Sequence, residues 1–170
     1  MCIRDRGYEE KLSEKRILGT RHGPHKNRQI WHEVKQAEEQ ALGVTEQPYC
    51  VVVGGGQAGI MLATRLKKLG VSTIVLEKNK RAGDSWRNRY RFLTLHDPIW
   101  YNHLPYIHFP DDWPIFTPKN KMGDWLEMYT MVMDLNYWTE SRCSKATFDE
   151  SSQQWEVEVI RKGEKLTPVS

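Results

Sequence analysis

The sequence predicts an α/β fold in which a parallel sheet forms the core. A continuous apolar run rich in β-branched residues, at 49–53, predicts a strand buried on both faces, as in parallel sheets. A glycine-rich turn follows directly, and apolar residues then recur at helical spacing over 57–69. A second apolar run at 72–76 completes the pattern of strand, helix and strand that is typical of a βαβ crossover.

The N-terminal part of the chain, residues 1–45, is expected to form an extension that contains a short amphipathic helix. Residues 1–30 are polar and basic with scattered apolar positions, which favours a loose segment. Five apolar residues then recur at helical spacing before Gly43, where the helix is expected to end: Trp31, Val34, Ala37, Ala41 and Leu42. The folded domain is expected over residues 46–170.

The chain after the βαβ unit is predicted to be irregular at first and regular again later. Residues 81–120 contain several prolines with aromatic residues between them, and no long helix tolerates that density. One apolar face over 121–134 predicts a helix. Alternating apolar and acidic residues over 155–159 predict a half-exposed strand, paired in antiparallel fashion with the region 143–148. The parallel sheet is expected to stop after two strands, which would leave the first strand with an exposed apolar edge.

The charge and cysteine content argue against several classes of protein. The 170-residue chain carries 25 basic and 22 acidic side chains, and this balance predicts neither nucleic-acid binding nor a charged membrane surface. No apolar run approaches the roughly 18 residues that span a bilayer, and the first residues lack the apolar region of a secretory signal. The three cysteines are isolated in sequence, which argues against a disulfide framework and favours a cytoplasmic protein.

The turn between the first predicted strand and helix has the spacing G-x-G-x-x-G. In dinucleotide sites the first glycine, here Gly54, permits the sharp turn out of the strand. The second, Gly56, lets the backbone approach a pyrophosphate, and the third, Gly59, lets the helix pack closely on the sheet. The amides of Gln57 and Ala58, at the helix N-terminus, are expected to donate hydrogen bonds to the phosphates.

An acidic residue, Glu77, stands at the end of the second predicted strand. A carboxylate there can accept hydrogen bonds from the hydroxyls of a ribose and would repel the 2′-phosphate of NADP. Strand, glycines, helix, strand and acid in this order predict a Rossmann-like dinucleotide site. The irregular segment 81–86 takes the place of the regular third repeat that is usual in nicotinamide domains. Such a segment can wrap a ribityl chain and cover a tricyclic ring, and we therefore expect FAD.

At these residues the chain resembles the flavin-containing monooxygenase family, including its plant auxin-forming branch, and it is similar to the wider Baeyer–Villiger group. The resemblance covers about residues 48–160. The matching stretches are Val51–Gly59, Glu77, Gly83-x-x-Trp86, Asn88–Tyr90, Leu95-His96, Phe109–Pro114 and Trp125–Tyr129. This ordered set is more specific than the glycine motif alone.

The resemblance implies a flavoprotein in which NADPH reduces bound FAD and one oxygen atom of O2 is transferred to a small organic substrate. Gly83 and Trp86 match the family's G-G-x-W segment, which runs beside the flavin, although Ala82 replaces its first glycine. Three further residues are expected to bind the cofactor: Lys78, Ser85 and Leu95.

The residue expected to lie nearest the flavin chemistry is His96, which is both a cofactor-binding and a catalytic candidate. Many family members have an asparagine at this position, whereas members of the plant branch resemble this chain in having Leu-His. Beside a flavin, His96 and Asp97 can act as donor and charge partner; alternatively His96 caps a loop. Together with His103 and His108 it shares no helix face, and no metal site is expected. The stripe Trp125–Tyr129 is expected to belong to the core.

The sequence lacks a second G-x-G-x-x-G motif, the family's F-x-G-x-x-x-H segment and its later A-T-G stretch. The expectation is therefore an N-terminal FAD-binding fragment whose NADPH domain is absent and which is inactive alone. Two alternatives stay open: a non-oxygenating FAD/NAD(P)-dependent oxidoreductase and a non-catalytic flavin-binding module. The sequence has no C-x-x-C pair, which argues against a disulfide reductase. It does not predict the oligomeric state.

Overall fold

The computed structural model describes residues 30–166, which fall into two units divided after Ala41. The described part of the first unit contains one helix, α1 (Trp31–Ala41), with an i,i+4 ion pair of 3.5 Å between Lys35 and Glu39. The predicted helix is confirmed, although it ends at Ala41 rather than at Gly43. The loose segment predicted over residues 1–30 lies almost wholly outside the described residues.

The second unit begins with the predicted βαβ crossover. Strand β1 (Cys50–Val53) is followed by α2 (Gln57–Lys68) and by β2 (Thr73–Leu76), and the two strands pair in parallel. The helix ends one residue earlier than predicted, and Gly70 then turns the chain with a φ of 75°. Every residue of β2 is buried, as expected for the central strand of a parallel sheet.

Strand β1 differs from the prediction of a strand buried on both faces. Val52 is its only buried residue, whereas Val53 is 63% exposed and the preceding Tyr49 is 88% exposed. The reason lies in the strand order β1-β2-β3, which places β1 at an edge of the sheet. Within residues 30–166 no strand pairs with the edge of β1 that faces away from β2. Apolar side chains of β1 therefore remain accessible to solvent.

The parallel sheet contains a third strand that the sequence did not reveal. Strand β3 (Tyr137–Trp138) pairs in parallel with β2, and Tyr137 lies opposite Val75 in the register. The expectation that the sheet stops after two strands is therefore wrong. The strand is only two residues long, and no periodicity can be recognised over that length.

Two helices and an irregular segment pack on the α2 side of the sheet. Between the sheet and α4 (Lys119–Val132) the chain is irregular, as predicted, except for one helical turn, α3 (Asp84–Arg87). Helix α4 begins and ends two residues before the predicted 121–134 because Pro118 is its N-cap and Met133 its C-cap. Its residues Trp125 and Tyr129 are buried in the main core, which confirms the predicted core stripe.

An antiparallel sheet follows, as predicted. It consists of β4 (Ser141–Asp149), β5 (Gln154–Arg161) and the short β6 (Glu164–Lys165). Val157 and Val159 point inward and pack in a second apolar cluster with Ile74, Leu76 and Trp138 of the parallel sheet. No helix within residues 30–166 has the length and apolar character needed to cross a membrane.

Candidate dinucleotide site

The glycine turn joins β1 to α2 in the geometry that the sequence predicts. Gly54 adopts a φ of 105°, in the region that favours glycine. A Cβ at Gly59 would collide with the carbonyl oxygen of Gly54, so that the third glycine is required for helix and strand to approach. Gly56 is different, because its φ is −73° and the nearest atom to an added Cβ is Ser85 Oγ at 3.9 Å. The packing of the protein itself would therefore leave room for a side chain at Gly56.

The first turn of α2 is directed at this open space. Gly56 is the N-cap residue and provides no side-chain oxygen to accept from the first amides. The predicted donors Gln57 and Ala58 occupy the first two helical positions. Unsatisfied amides and the positive end of the helix dipole together favour an anion at this point.

Glu77 lies beneath the turn and is 5% exposed. Its Oε2 accepts from the Gly55 amide at 3.0 Å, and its Oε1 accepts from the Asn79 amide at 2.8 Å and from Asn79 Nδ2 at 2.6 Å. A carboxylate has about four acceptor positions, and three are occupied here. Among the hydrogen bonds of residues 30–166, one acceptor position, on Oε2, is left for a further donor, rather than the two that the sequence suggested for a ribose.

Tyr137, which is not among the predicted site residues, closes the other side of the turn. Its hydroxyl donates to the Gly55 carbonyl at 2.5 Å. Burial, followed by the nearby charge of Glu77, raises the pKa of the phenol. The group therefore stays protonated and remains a donor. No sequence signal marks Tyr137, because its position depends on a two-residue strand.

The segment expected to run beside the flavin lies next to the turn. Gly83 has a φ of 84°, and a Cβ there would collide with the backbone of Gly123 in α4. Trp86 Nε1 donates to Gln57 Oε1 at 3.1 Å, which ties α3 to the start of α2. Ser85 Oγ is buried and has no hydrogen-bond partner among residues 30–166.

Helix α3 is fixed to α4 by a network of charges around Arg87. The guanidinium of Arg87 contacts Asp84 at 2.9 Å, Asp124 at 2.9 Å and Glu127 at 2.8 Å. Arg81 contacts Glu127 at 2.6 Å, and its hydrogen bond is the main reason that the pKa of Glu127 is lowered. This network was not among the predicted features. Its sequence signal was the three-residue spacing of Arg81, Asp84 and Arg87 in one segment, repeated by two acids, Asp124 and Glu127, in the other.

A cavity of 410 Å³ opens beside α3 and brings together four of the predicted site residues: Gln57, Trp86, Leu95 and His96. Leu95 is held by a backbone hydrogen bond of 2.8 Å to Thr117. His96 is exposed, and its ring makes no hydrogen bond within residues 30–166, so no observed bond supports its alternative role as a loop cap.

Lys78 is not brought to this cavity. It lines a separate open groove of 1020 Å³, where Lys80, Arg142 and Lys162 also lie. Among the described residues, no group of three or more His, Cys, Asp or Glu side chains is arranged to hold a metal ion. The rings of His103 and His108 contact each other with their centroids 4.2 Å apart and their planes tilted by 42°.

Comparison with known proteins agrees with this geometry. Residues 48–90 match the family described as FAD binding domain. The chain is 35% identical over 111 residues to the probable indole-3-pyruvate monooxygenase YUCCA3 of Arabidopsis thaliana. The aligned region covers 65% of this chain and 25% of that protein. It thus spans about a quarter of the length of this curated relative.

Solved structures show the same fold. A flavin-containing monooxygenase from Stenotrophomonas maltophilia matches 68% of this chain and 34% of its own, with a TM-score of 0.57 and 19% identity. The bacillithiol disulfide reductase Bdr from Bacillus cereus matches 71% of this chain and 36% of its own, with a TM-score of 0.65 and 18% identity. The glycine turn, the match over residues 48–90 and the sequence relatives together show that this chain is similar to the FAD-binding region of flavin monooxygenases.

Proposed function

We propose that this chain binds FAD and forms the FAD-binding part of a flavin-dependent monooxygenase that uses NADPH. Such an enzyme transfers one oxygen atom from O2 to a small organic substrate. The observation that carries the proposal is the open space at Gly56. The protein's own packing would admit a side chain there, and the space faces the uncapped start of α2. A pyrophosphate is the group that such a space and such amides fit.

The residues around the turn fit FAD in two further respects. The buried hydroxyl of Ser85, without a partner among the described residues, would be satisfied by a phosphate oxygen near Gly56. The remaining acceptor position of Glu77 would hold one ribose hydroxyl. Lys78 would lie towards the adenosine side, since it directly follows Glu77 and faces the open groove.

The cavity beside α3 is the proposed place for the flavin end of the cofactor. FAD, when bound, supplies the transfer of electrons from NADPH to O2. Trp86 and Leu95 would exclude water on their side of the cavity. His96, at the exposed rim, would hold or move a proton at a nitrogen of its imidazole ring. This assignment makes His96 the catalytic candidate of the described region.

The substitution Gly56→Ala tests FAD binding with little disturbance of the fold. An alanine fits both the φ of −73° and the space, and its cost at an N-cap position is about 1 kcal/mol or less. We expect the melting temperature to change by only a few degrees while the Kd for FAD, measured by quenching of flavin fluorescence, rises at least about tenfold.

The control is Gly59→Ala, whose Cβ would collide with the Gly54 carbonyl. This variant should lose stability even without FAD. A wild-type chain that does not bind FAD, or a Gly56→Ala chain that binds it with unchanged Kd, would refute the proposed site.

A non-oxygenating FAD/NAD(P)-dependent oxidoreductase is the second candidate, because the fold is also that of the reductase Bdr. The cysteines weaken this candidate: Cys50 and Cys143 lie on different strands, and neither lines the cavity. Sequencing the gene on the 3′ side of the Ser170 codon discriminates between the two. An F-x-G-x-x-x-H segment there would support the monooxygenase, and a C-x-x-C pair would support the reductase. The free cysteines are compatible with the proposed cytoplasmic location.

A further inference from the structure

The glycine turn is held from below by two side chains that arrive from different strands. Gly55 is buried, and both of its backbone polar groups are engaged. Its amide donates to Glu77, which follows β2, and its carbonyl accepts from Tyr137 of β3. The residue that precedes the open position Gly56 is therefore fixed on both sides of its backbone.

We infer that Tyr137 is a positioning residue for the dinucleotide, which it affects through Gly55 without touching the cofactor. The inference rests on the proposed function. The hydrogen bond from Tyr137 sets the direction of the Gly55 carbonyl, and with it the peptide plane that leads to Gly56. That plane determines where Gly56 and the first amides of α2 lie relative to a pyrophosphate.

The shape of the contact supports a role specific to this turn. A Cβ at Gly55 would lie 2.7 Å from Cε2 of the Tyr137 ring, so that the ring occupies the space a side chain would need. The ring cannot move aside easily, because β3 is paired with β2 and the Glu77 amide donates to the Trp138 carbonyl at 2.8 Å. One short strand thus connects the phenol to the same segment that carries Glu77.

The electrostatics support the same role. The phenol lies near the carboxylate of Glu77, and together with burial that charge raises the pKa of Tyr137. A phenolate beside a carboxylate would be unfavourable, so the hydroxyl persists as a donor across the pH range in which proteins work. The carbonyl of Gly55 therefore keeps the Tyr137 hydroxyl as its hydrogen-bond donor over this pH range.

Tyr137→Phe removes the hydroxyl and keeps the ring. The matched control is Tyr129→Phe, because the Tyr129 hydroxyl also donates to a backbone carbonyl at 2.5 Å, that of Pro105, and Tyr129 is fully buried away from the turn. Both variants of the full chain are titrated with FAD and with ADP, and both are melted without ligand. ADP reports on the phosphate and ribose end of the site alone.

We expect both variants to lose similar thermal stability, since each loses one buried hydrogen bond. Only Tyr137→Phe should weaken binding. The Kd for FAD and the Kd for ADP should rise by the same factor of about ten, because displaced amides would lose about the free energy of one hydrogen bond to the phosphates. Tyr129→Phe should leave both constants within about twofold of wild type.

Three results would overturn the inference: an unchanged Kd in Tyr137→Phe, equal weakening in both variants, or weakening of FAD binding without weakening of ADP binding. A wild-type chain that binds no FAD would instead refute the proposed function, and the inference with it. A second variant, Gly55→Ala, covers the case in which Tyr137→Phe does not fold. Its methyl group displaces the phenol, and its Kd for FAD should rise; unchanged binding in Gly55→Ala would overturn the inference.

Discussion

Substitutions at Glu77 can distinguish its contribution to the stability of the fold from its contribution to FAD binding. The carboxylate is 5% exposed and accepts three hydrogen bonds, from the Gly55 amide and from two groups of Asn79. In Glu77→Gln one oxygen becomes an NH2 group. The amide should keep its oxygen towards Asn79, because that orientation loses one bond rather than two. The Gly55 amide then loses its acceptor.

The magnitudes follow from this count. Each lost bond to the charged carboxylate costs about 1.5–3 kcal/mol of the free energy of unfolding. Glu77→Gln should lose about that amount, and Glu77→Ala should lose more, because all three donors are left without the carboxylate. The ribose contact adds a separate cost of about 1–3 kcal/mol to FAD binding, which raises the Kd roughly 5- to 150-fold.

The assay combines urea unfolding of the ligand-free chain with FAD titration. Asn79→Ala is the matched control, since it removes one bond of 2.6 Å to the same carboxylate on the side away from the turn. That variant should lose stability and keep its Kd for FAD within about twofold. A Glu77→Ala chain that retains FAD with the wild-type Kd would refute the assignment of Glu77 to the ribose.

Two further predictions concern acid stability and turnover. The hydrogen bond from Arg81 lowers the pKa of Glu127 below 4.5, so the stability that this pair contributes is present above pH 4.5 and is lost as the pH falls through the folded-state pKa. Glu127→Gln should therefore flatten the acid side of a plot of urea midpoint against pH; an unchanged slope would show that the pair contributes nothing. With saturating FAD, the 170-residue chain should oxidise NADPH no faster than free FAD does, because its sequence has a single G-x-G-x-x-G motif, and FAD would occupy that site in place of the nicotinamide cofactor. Spectrophotometric turnover at the usual enzymatic rate of about 1 s⁻¹ or more would contradict this.

The sequence predicted the parts of the fold that depend on local pattern. The βαβ unit, the hairpin β4–β5 and the core stripe of α4 each span enough residues for periodicity to appear. Gly54, Gly59 and Glu77 could be placed because turn geometry and strand order fix their positions along the chain.

The sequence could not predict contacts that depend on tertiary packing. Strand β3 has two residues, and the hydrogen bond from Tyr137 to Gly55 joins positions far apart in the chain. The exposed apolar edge of β1 was expected, but its reason is the strand order β1-β2-β3, which an apolar run does not reveal, and not a sheet of two strands. Lys78 was expected to bind the cofactor, and the sequence did not predict that its side chain lines the open groove rather than the cavity beside α3.

The contact between Gly83 and Gly123 has a consequence for the cavity beside α3. A side chain at Gly83 would meet the α4 backbone, and one at Gly123 would lie 2.7 Å from Cγ of Arg87. The separation of α3 from α4 is therefore at its minimum, and any larger residue must push α3 outwards together with Trp86. The width of the cavity is thus set by two residues that do not line it.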